Sequence, residues 1–281
     1  MANSRILIPI LIIPMVCYGC YGCYVRVSGA QVPNNNENAP EGYGWQREAF
    51  DWGLILGMAT GGFISSKAEP FFEKPLINGP GDKEYRDEQV PDPWVWGASI
   101  ATVGLVALLP NQDGWLSDRS YRHLKGAAQA AAAGFFIKEF TKDLVGRPRP
   151  DYYDRLELGI ELDEARKSWP SGHATHFFTA ATYLSLFTWD EWRSDEPLTL
   201  AAKSGITALL AAGAGWVCWT RVADNRHYPG DVAAGAVLGA GTALFFYSWQ
   251  NWWGKPKEDE NPIPSSIIEA TPFLLGIRFN F

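Results

Sequence analysis

Between residues 46 and 250 the chain alternates six apolar runs with polar breaks, and this alternation restricts its fold more than any other feature. The runs are rich in Ala and Leu and have few β-branched stretches, so helices are favoured over strands. The predicted fold is therefore an all-α bundle of about six helices around one core, with a functional site at one end. The runs cover residues 53–64, 94–109, 126–140, 174–189, 205–219 and 232–249.

The N-terminal region differs from this core. Residues 1–30 are predicted to be a signal peptide or signal anchor, because Arg5 precedes an apolar run too short to span a bilayer. Cleavage, lipidation of a cysteine in CYGCYGC, and retention as an uncleaved anchor all remain open. Residues 31–45 are polar and turn-rich and form a predicted linker. Residues 46–253 form the predicted helical domain.

The C-terminal region is a second appendage. Residues 254–266 are charged and contain prolines, which predicts another linker. In residues 267–281 the segment FLLGIRFNF places apolar residues at alternate positions, with one exception, as a strand does. One strand cannot form a barrel, so we expect a short β-like tail that docks on the body or on a neighbour.

The relation of the bundle to a membrane is open from sequence alone. The apolar runs are at or below the roughly 20 residues that a spanning helix needs, and the mean hydropathy is only −0.13. Trp249, Trp252 and Trp253 at a helix end, and the spacing in GAVLG (235–239), are nevertheless typical of membrane proteins. We expect an exported bundle near a membrane surface, in the envelope of a bacterium. The net charge of −7 excludes general nucleic-acid binding.

Three short stretches carry the candidate chemistry. The first, KDLVGRPRP (142–150), places Lys142, Arg147 and Arg149 within eight residues, and its prolines prevent helix continuation. Such a cluster is either a solvated helix end or an anion site.

The second stretch is WPSGHATHFF (169–178). Ser171 is a good N-cap before an apolar run, so a helix is expected to direct free N–H groups near Gly172 at an anion. His173 would lie beside that anion. His176 is interpreted as a packing or supporting residue, and His123, in the polar stretch DRSYRHLK, as a surface residue.

The third stretch is TRVADNRHYPGD (220–231). Pro229 suits the first position of a new helix, which places His227 at the mouth of that helix. Asp231, one turn later, is expected to accept the ring N–H of His227, which would fix the tautomer and leave the other nitrogen free. Arg221 supplies another cation.

The combination K-x6-R-P, P-S-G-H and T-R-x5-H-x3-D, in this order, resembles the type 2 phosphatidic acid phosphatase and vanadium haloperoxidase superfamily over roughly residues 95–250. Every charged position of the pattern is present. Thr220 stands where the family usually has serine, but the hydroxyl is kept. The two ends of the chain lie outside the resemblance.

The resemblance implies a metal-independent phosphatase that hydrolyses phosphate monoesters. Lys142, Arg149 and Arg221 would hold the phosphate oxygens, assisted by the Ser171 hydroxyl and the Gly172 N–H. Three residues would be catalytic: His227 as the nucleophile that becomes phosphohistidine, Asp231 as the group that stabilises its imidazolium, and His173 as the acid and then the base. His173 is expected to be protonated at the start of the reaction, and Arg147 to tune the pocket's potential.

Alternatives remain. The same residues could hold vanadate in a haloperoxidase, which is the one case that would require a cofactor, or the pocket could bind anions in a non-catalytic envelope protein. The Trp-rich helix ends and the Tyr and Leu residues in the stretch between the first two motifs (151–169) favour a lipid phosphate as substrate, such as phosphatidate, a phosphatidylglycerol precursor or an isoprenyl diphosphate. A range of soluble phosphate esters stays open as the alternative. We predict no metal ion and no nucleic-acid partner.

Overall fold

A computed structural model describes residues 42–194 and 196–253, and the regular elements in these ranges are helices. They are α1 (Gly42–Ser66), α2 (Asp92–Leu108), α3 (Asp118–Val145), α4 (Tyr152–Leu158), α5 (Gly172–Glu191), α6 (Pro197–Ala223) and α7 (Pro229–Trp253). Each predicted apolar run lies within one of these helices, apart from one residue at the end of α2. The all-α prediction is therefore confirmed, and α4 is an addition too short to show helical periodicity.

The predicted appendages lie mostly outside the described residues. The signal segment, the linker at 254–266 and the β-like tail belong to this undescribed part, so the predicted domain boundaries stay predictions. Helix α1 begins at Gly42, inside the predicted linker 31–45. The chain divides into two compact units, Met1–Gln46 and Arg47–Phe281, and all residues of the candidate site belong to the second.

Local sequence signals explain where the helices begin and end. A capping box between Ser117 and Ser120 starts α3, and Gly146 ends it in the left-handed conformation with φ of 60°. Helix α7 begins at Pro229, as the sequence predicts. Since Pro lacks an N–H and Gly146 accepts positive φ at little cost, the chain turns sharply at both points. Each turn lies beside the candidate site.

Helix α5 is the centre of the bundle, because it packs against α2, α3, α6 and α7. Its closest neighbour is α7, and two glycines of the GAVLG segment allow the approach. A Cβ atom at Gly235 or Gly239 would overlap the carbonyl oxygen of Ser171 or Thr175, respectively. This crossing brings the N-termini of α5 and α7 together, where two of the three motifs lie.

The close crossing gives a stability prediction. Gly239→Ala is expected to lower the free energy of unfolding by about 1–3 kcal/mol, because the new methyl group meets backbone that cannot move aside. Gly241→Ala is the matched control on the same helix, since nothing lies within 4 Å of its added Cβ. It should change stability by less than about 1 kcal/mol, in the stabilising direction. Denaturant unfolding of both variants tests this, and equal effects would contradict it.

The core far from the motifs contains a buried polar pair. His123 is 2% exposed among Tyr183, Phe187 and Tyr247, and its Nε2 lies 2.8 Å from Oε1 of Glu191. The prediction that His123 lies on the surface was wrong. The neighbouring residues in the sequence are polar, but they form the first turns of α3, and the inner face of that helix packs against the core.

Several features indicate association with a membrane. Two described helices, Pro197–Ala223 and Pro229–Asn251, are long and apolar enough to cross a bilayer. Large apolar side chains are exposed on both, including Leu209 at 74% and Val237 at 75%. Soluble proteins seldom expose so much apolar helix surface without a partner.

Candidate active site

The three motifs meet at one cavity of about 1140 Å³. Six of the eight predicted site residues line it: Lys142, Arg149, Gly172, His173, Arg221 and His227. The remaining two, Ser171 and Asp231, are fully buried and hydrogen-bond to each other through the Ser171 N–H and the Asp231 carbonyl, at 2.9 Å. The structure thus brings together residues that are up to 89 positions apart in sequence.

Lys142 and Arg149 reach the cavity from the end of α3 and the segment after it. Lys142 is in the last turn of α3, and its carbonyl accepts the N–H of Gly146. Arg149 is oriented by backbone, because its Nε donates to the Glu164 carbonyl at 2.8 Å and its Nη1 to the Arg226 carbonyl at 3.3 Å. The Arg149 guanidinium is therefore held in place by backbone acceptors.

Glutamates are paired with the three predicted phosphate-binding cations. Glu164 lies 2.7 Å from Arg149, Glu139 lies 3.5 Å from Lys142, and Glu88 lies 3.0 Å from Arg221. All three glutamates line the cavity.

Two of these carboxylates, Glu139 and Glu164, are ionised. Burial by itself raises a carboxyl pKa, but nearby cations outweigh it. Lys142 and Arg149 hold the pKa of Glu164 at about 2, and Lys142 and Lys138 do the same for Glu139. The cavity therefore contains paired charges of both signs.

The N-terminus of α5 faces the site. Ser171 is the N-cap residue, but its hydroxyl makes no cap hydrogen bond. Its Oγ is buried and has no hydrogen-bond partner among the described residues. The first N–H groups of a helix have no intrahelical acceptor, so this end of α5 presents donors to an anion.

His173 lies between Arg221 and backbone. Its Nε2 is 2.9 Å from the Val90 carbonyl and 3.5 Å from Nη1 of Arg221. Burial, with Arg221 and His227 adding repulsion, lowers the pKa of His173 to about 2. The surrounding cations thus oppose another positive charge on His173, whereas the expectation that the ring is protonated concerns the site with phosphate bound and stays a prediction.

His227 is held by backbone and not by a carboxylate. Its Nδ1 donates to the Ser168 carbonyl at 2.7 Å, so Nε2 is left as the free nitrogen. Burial first, and then Arg149 and Arg221, lowers its pKa well below the ordinary value. The imidazole is thus a neutral base with one nitrogen available in a cationic cavity.

Asp231 does not accept the ring N–H of His227, and that prediction was wrong. Its Oδ2 is 3.9 Å from Nδ1, because Ser168 lies between them. Oδ2 instead accepts the Ser168 hydroxyl at 2.5 Å and the Tyr228 N–H at 2.9 Å. Asp231 thus acts on His227 through Ser168, whose hydroxyl it binds and whose carbonyl orients the ring.

Arg147 lies behind Asp231 and does not line the cavity. Its Nη1 donates to Oδ1 of Asp231 at 2.5 Å, and its guanidinium stacks over the Tyr228 ring at 4.1 Å. Arg147 therefore balances the charge of Asp231 and does not face the predicted phosphate position.

One group of described residues has the composition of a metal site. Ligand atoms of Glu88, Asp92 and His173 lie within 4.8 Å of one another. Two of these residues are already engaged: Glu88 binds Arg221 at 3.0 Å, and His173 binds the Val90 carbonyl. A metal ion here would have to displace both contacts and would lie next to the Arg221 guanidinium.

The cavity continues from its charged end into an apolar groove, which sequence reasoning did not find. Helices α1, α2 and α3 line the groove. The α2 residues span roughly 12 Å along the helix from Trp96 to Gly104. Trp96, Ile100 and Phe63 are 47%, 71% and 62% exposed, so the groove opens sideways. The lining residues are Ala59, Phe63, Val95, Trp96, Ile100, Val103, Gly104, Ala131, Ala132 and Phe135.

Comparisons with known proteins agree with the geometry. The family description "PAP2 superfamily" matches residues 125–255. The chain is 29% identical to diacylglycerol pyrophosphate phosphatase 1 of Saccharomyces cerevisiae over 147 residues, covering 45% of this chain and 51% of the relative. It is 33% identical to lipid phosphate phosphatase 2 of Arabidopsis thaliana over 129 residues, covering 40% and 44%.

A longer alignment has lower identity. Phospholipid phosphatase 2 of Rattus norvegicus is 24% identical over 250 residues, covering 73% of this chain and 89% of the relative. The chain spans about half the length of the yeast and plant relatives. No solved structure is significantly similar to it.

Proposed function

The chain belongs to the PAP2 superfamily, and on this premise we propose that it is a phosphatase that hydrolyses the phosphate monoester of a lipid through a phosphohistidine intermediate. The observation that carries the proposal is the cavity that the three motif cations, Lys142, Arg149 and Arg221, share with the two motif histidines, His173 and His227. Anion binding alone would not require two imidazoles there.

The cations and the start of α5 would bind the phosphate. Lys142, Arg149 and Arg221 are the groups for its non-bridging oxygens, and the Ser171 hydroxyl and Gly172 N–H are neutral donors. Because Ser171 Oγ has no other partner among the described residues, it is free to donate. Donors fixed in advance stabilise charge in the transition state without a cost of reorganisation.

His227 would attack phosphorus with Nε2. The bond from phosphorus to the ester oxygen breaks, and that oxygen takes a proton from His173. Water then attacks the phosphohistidine, with His173 as the base, and inorganic phosphate leaves. The Ser168 carbonyl accepts the Nδ1–H throughout, and Asp231 stabilises the imidazolium through Ser168.

A lipid substrate is supported by the apolar groove that continues from the charged end. Phe135 and Trp96 line its start and Gly104 its far part. Groups of this kind bind an alkyl chain by removing it from water. The relatives named as lipid phosphatases and the two candidate membrane helices support the same substrate class. The location in a bacterial envelope stays a prediction, since the relatives compared above are eukaryotic.

The proposed reaction requires no metal ion, because the cations and the helix terminus supply the charge that a metal would otherwise provide. The purified protein is expected to release phosphate from phosphatidate at an unchanged rate in excess EDTA, and vanadate should inhibit it. Phosphate release measured with and without chelator tests this. Activity that chelation removes and magnesium restores would contradict the mechanism, and halide oxidation with peroxide and vanadate would favour the haloperoxidase alternative.

A further inference from the structure

Arg226 is a buried arginine directly before His227, and the proposed reaction does not use it. The residue is 1% exposed. Its Nη1 donates to Oε2 of Glu161 at 2.9 Å, and its Nη2 donates to the Tyr85 hydroxyl at 3.0 Å. The guanidinium also lies over the Tyr85 ring, 4.5 Å from the centroid. Two of its three donor nitrogens are therefore held in place by these partners.

The third nitrogen of Arg226 faces Glu88. This nitrogen, Nε, is buried and has no hydrogen-bond partner among the described residues, and Oε1 of Glu88 lies 3.6 Å from it. The same oxygen accepts a hydrogen bond from Nη2 of Arg221 at 3.0 Å. Glu88 thus lies between two guanidinium groups and is hydrogen-bonded to Arg221. A buried donor left unpaired is costly, so Nε of Arg226 indicates a second position for this carboxylate.

The backbone around Glu88 does not have to move for its carboxylate to change partner. The next residue, Gln89, donates through its N–H and its Nε2 to the Asp224 carboxylate, at 3.0 and 2.6 Å. The Val90 carbonyl accepts from Nη1 of Arg221 at 3.0 Å. The Glu88 side chain is 23% exposed and therefore less restricted than this backbone. Shortening the 3.6 Å separation to a hydrogen-bond length of about 3 Å needs only rotation of the side chain.

We propose that Arg226 is a positioning residue, which binds the Glu88 carboxylate once a substrate phosphate has displaced it from Arg221. This inference rests on the proposed function and describes how the same site exchanges its counter-ion. A displaced Glu88 without a new partner is a negative charge next to the phosphate, and the two repel each other. A hydrogen bond from Nε of Arg226 neutralises the carboxylate and keeps it away from the phosphate.

Arg155 has nearly the same surroundings as Arg226 but a different partner at Nε. It is 0% exposed, its Nη1 donates to Oε2 of Glu161 at 2.6 Å, and its guanidinium lies over the same tyrosine ring, 5.3 Å from the centroid. Its Nε donates to Oδ1 of Asp151 at 2.8 Å. Replacing either arginine removes a buried positive charge beside Glu161. The replacement of Arg226 also removes the second position for Glu88, so Arg155 is a matched control.

Titration calorimetry with inorganic phosphate tests the exchange in a double-mutant cycle. Arg226→Gln is expected to raise the Kd for phosphate by about tenfold, the effect of losing one hydrogen bond to a charged group. In the Glu88→Gln background there is no carboxylate to receive, so the same substitution should raise the Kd by less than about twofold. Arg155→Gln should change the Kd by less than about twofold in either background.

Equal effects of Arg226→Gln in the two backgrounds would overturn the exchange, because Arg226 would then act on phosphate through its charge alone. An equal loss of affinity in Arg155→Gln would overturn it too, because the two arginines would then share a structural role.

A structure of the wild-type protein with vanadate bound decides the question without any variant. The Glu88 carboxylate is expected within hydrogen-bond distance of Nε of Arg226, and a carboxylate that stays on Arg221 would contradict the exchange. Wild-type protein that binds no phosphate would contradict it as well. If phosphate binding shows the expected coupling between Arg226 and Glu88 but no phosphate ester is hydrolysed, the exchange is supported and the proposed phosphatase is wrong.

Discussion

Replacing His227 with alanine is expected to reduce phosphate-ester turnover by at least about 10⁴-fold, the usual size of the effect of losing a covalent nucleophile. The other motif histidine in the cavity, His173, has no equivalent position. Nε2 of His227 is free because Nδ1 donates to Ser168, whereas Nε2 of His173 is bound to Val90. Acid-quenched protein labelled with ³²P from a phosphate ester should carry label in the wild type and none in His227→Ala.

The control for this loss is His123→Gln. This substitution also removes a buried imidazole, but His123 lies roughly 28 Å along α3 from Lys142 and therefore far from the cavity. Its label and turnover should match the wild type once the protein is folded. Label retained by His227→Ala would show that another group is the nucleophile.

The second large effect is expected at His173. His173→Asn should slow hydrolysis of an alkyl phosphate by about 10²- to 10⁴-fold, the range for loss of a general acid. With p-nitrophenyl phosphate, the same substitution should slow formation of the phosphoenzyme much less, because nitrophenolate leaves without a proton. Burst kinetics with the two esters separates this step from hydrolysis of the phosphoenzyme. If the substitution slowed phosphoenzyme formation equally with the two esters, His173 would be excluded as the acid.

The pH dependence follows from the low pKa of His173. Because burial and the neighbouring cations hold the pKa of His173 at about 2, the ring is neutral throughout the physiological range and must gain its proton with the substrate. A monoanionic ester brings that proton, and the second pKa of a phosphate ester is about 6. As pH rises through this value the monoanion disappears, so kcat/KM for alkyl phosphates should fall. His173→Asn should lack this decline.

The sequence predicted the helices and the residues that converge, for identifiable reasons. Ala- and Leu-rich runs with polar breaks mark helices whatever they pack against, so the six long ones could be located. The motifs each follow or precede a helix end, where Gly146 and Pro229 turn the chain. The order and spacing of the charged residues then indicated one pocket.

The partners of these residues could not be read from the sequence. Glu88 and Arg221 are 133 positions apart, and no spacing rule connects them. The Asp231 prediction failed because a helical i,i+4 spacing says nothing about a third segment between the two side chains, which here is Ser168. Lys138 also lines the cavity, and the sequence did contain a signal for that position: Lys138 is four residues before Lys142, so the two share a face of α3.

In the proposed mechanism, the glutamates in the cavity would make phosphate binding an exchange of counter-ions. Without a ligand, Glu88, Glu139 and Glu164 spare the buried guanidinium and ammonium groups from mutual repulsion, which would otherwise oppose folding. A bound phosphate would replace these carboxylates as the partner of the cations, and the carboxylates would pair with the cations again when phosphate leaves. The cations would then not be left without a counter-ion when the product leaves, because the carboxylates that pair with them again belong to the same chain.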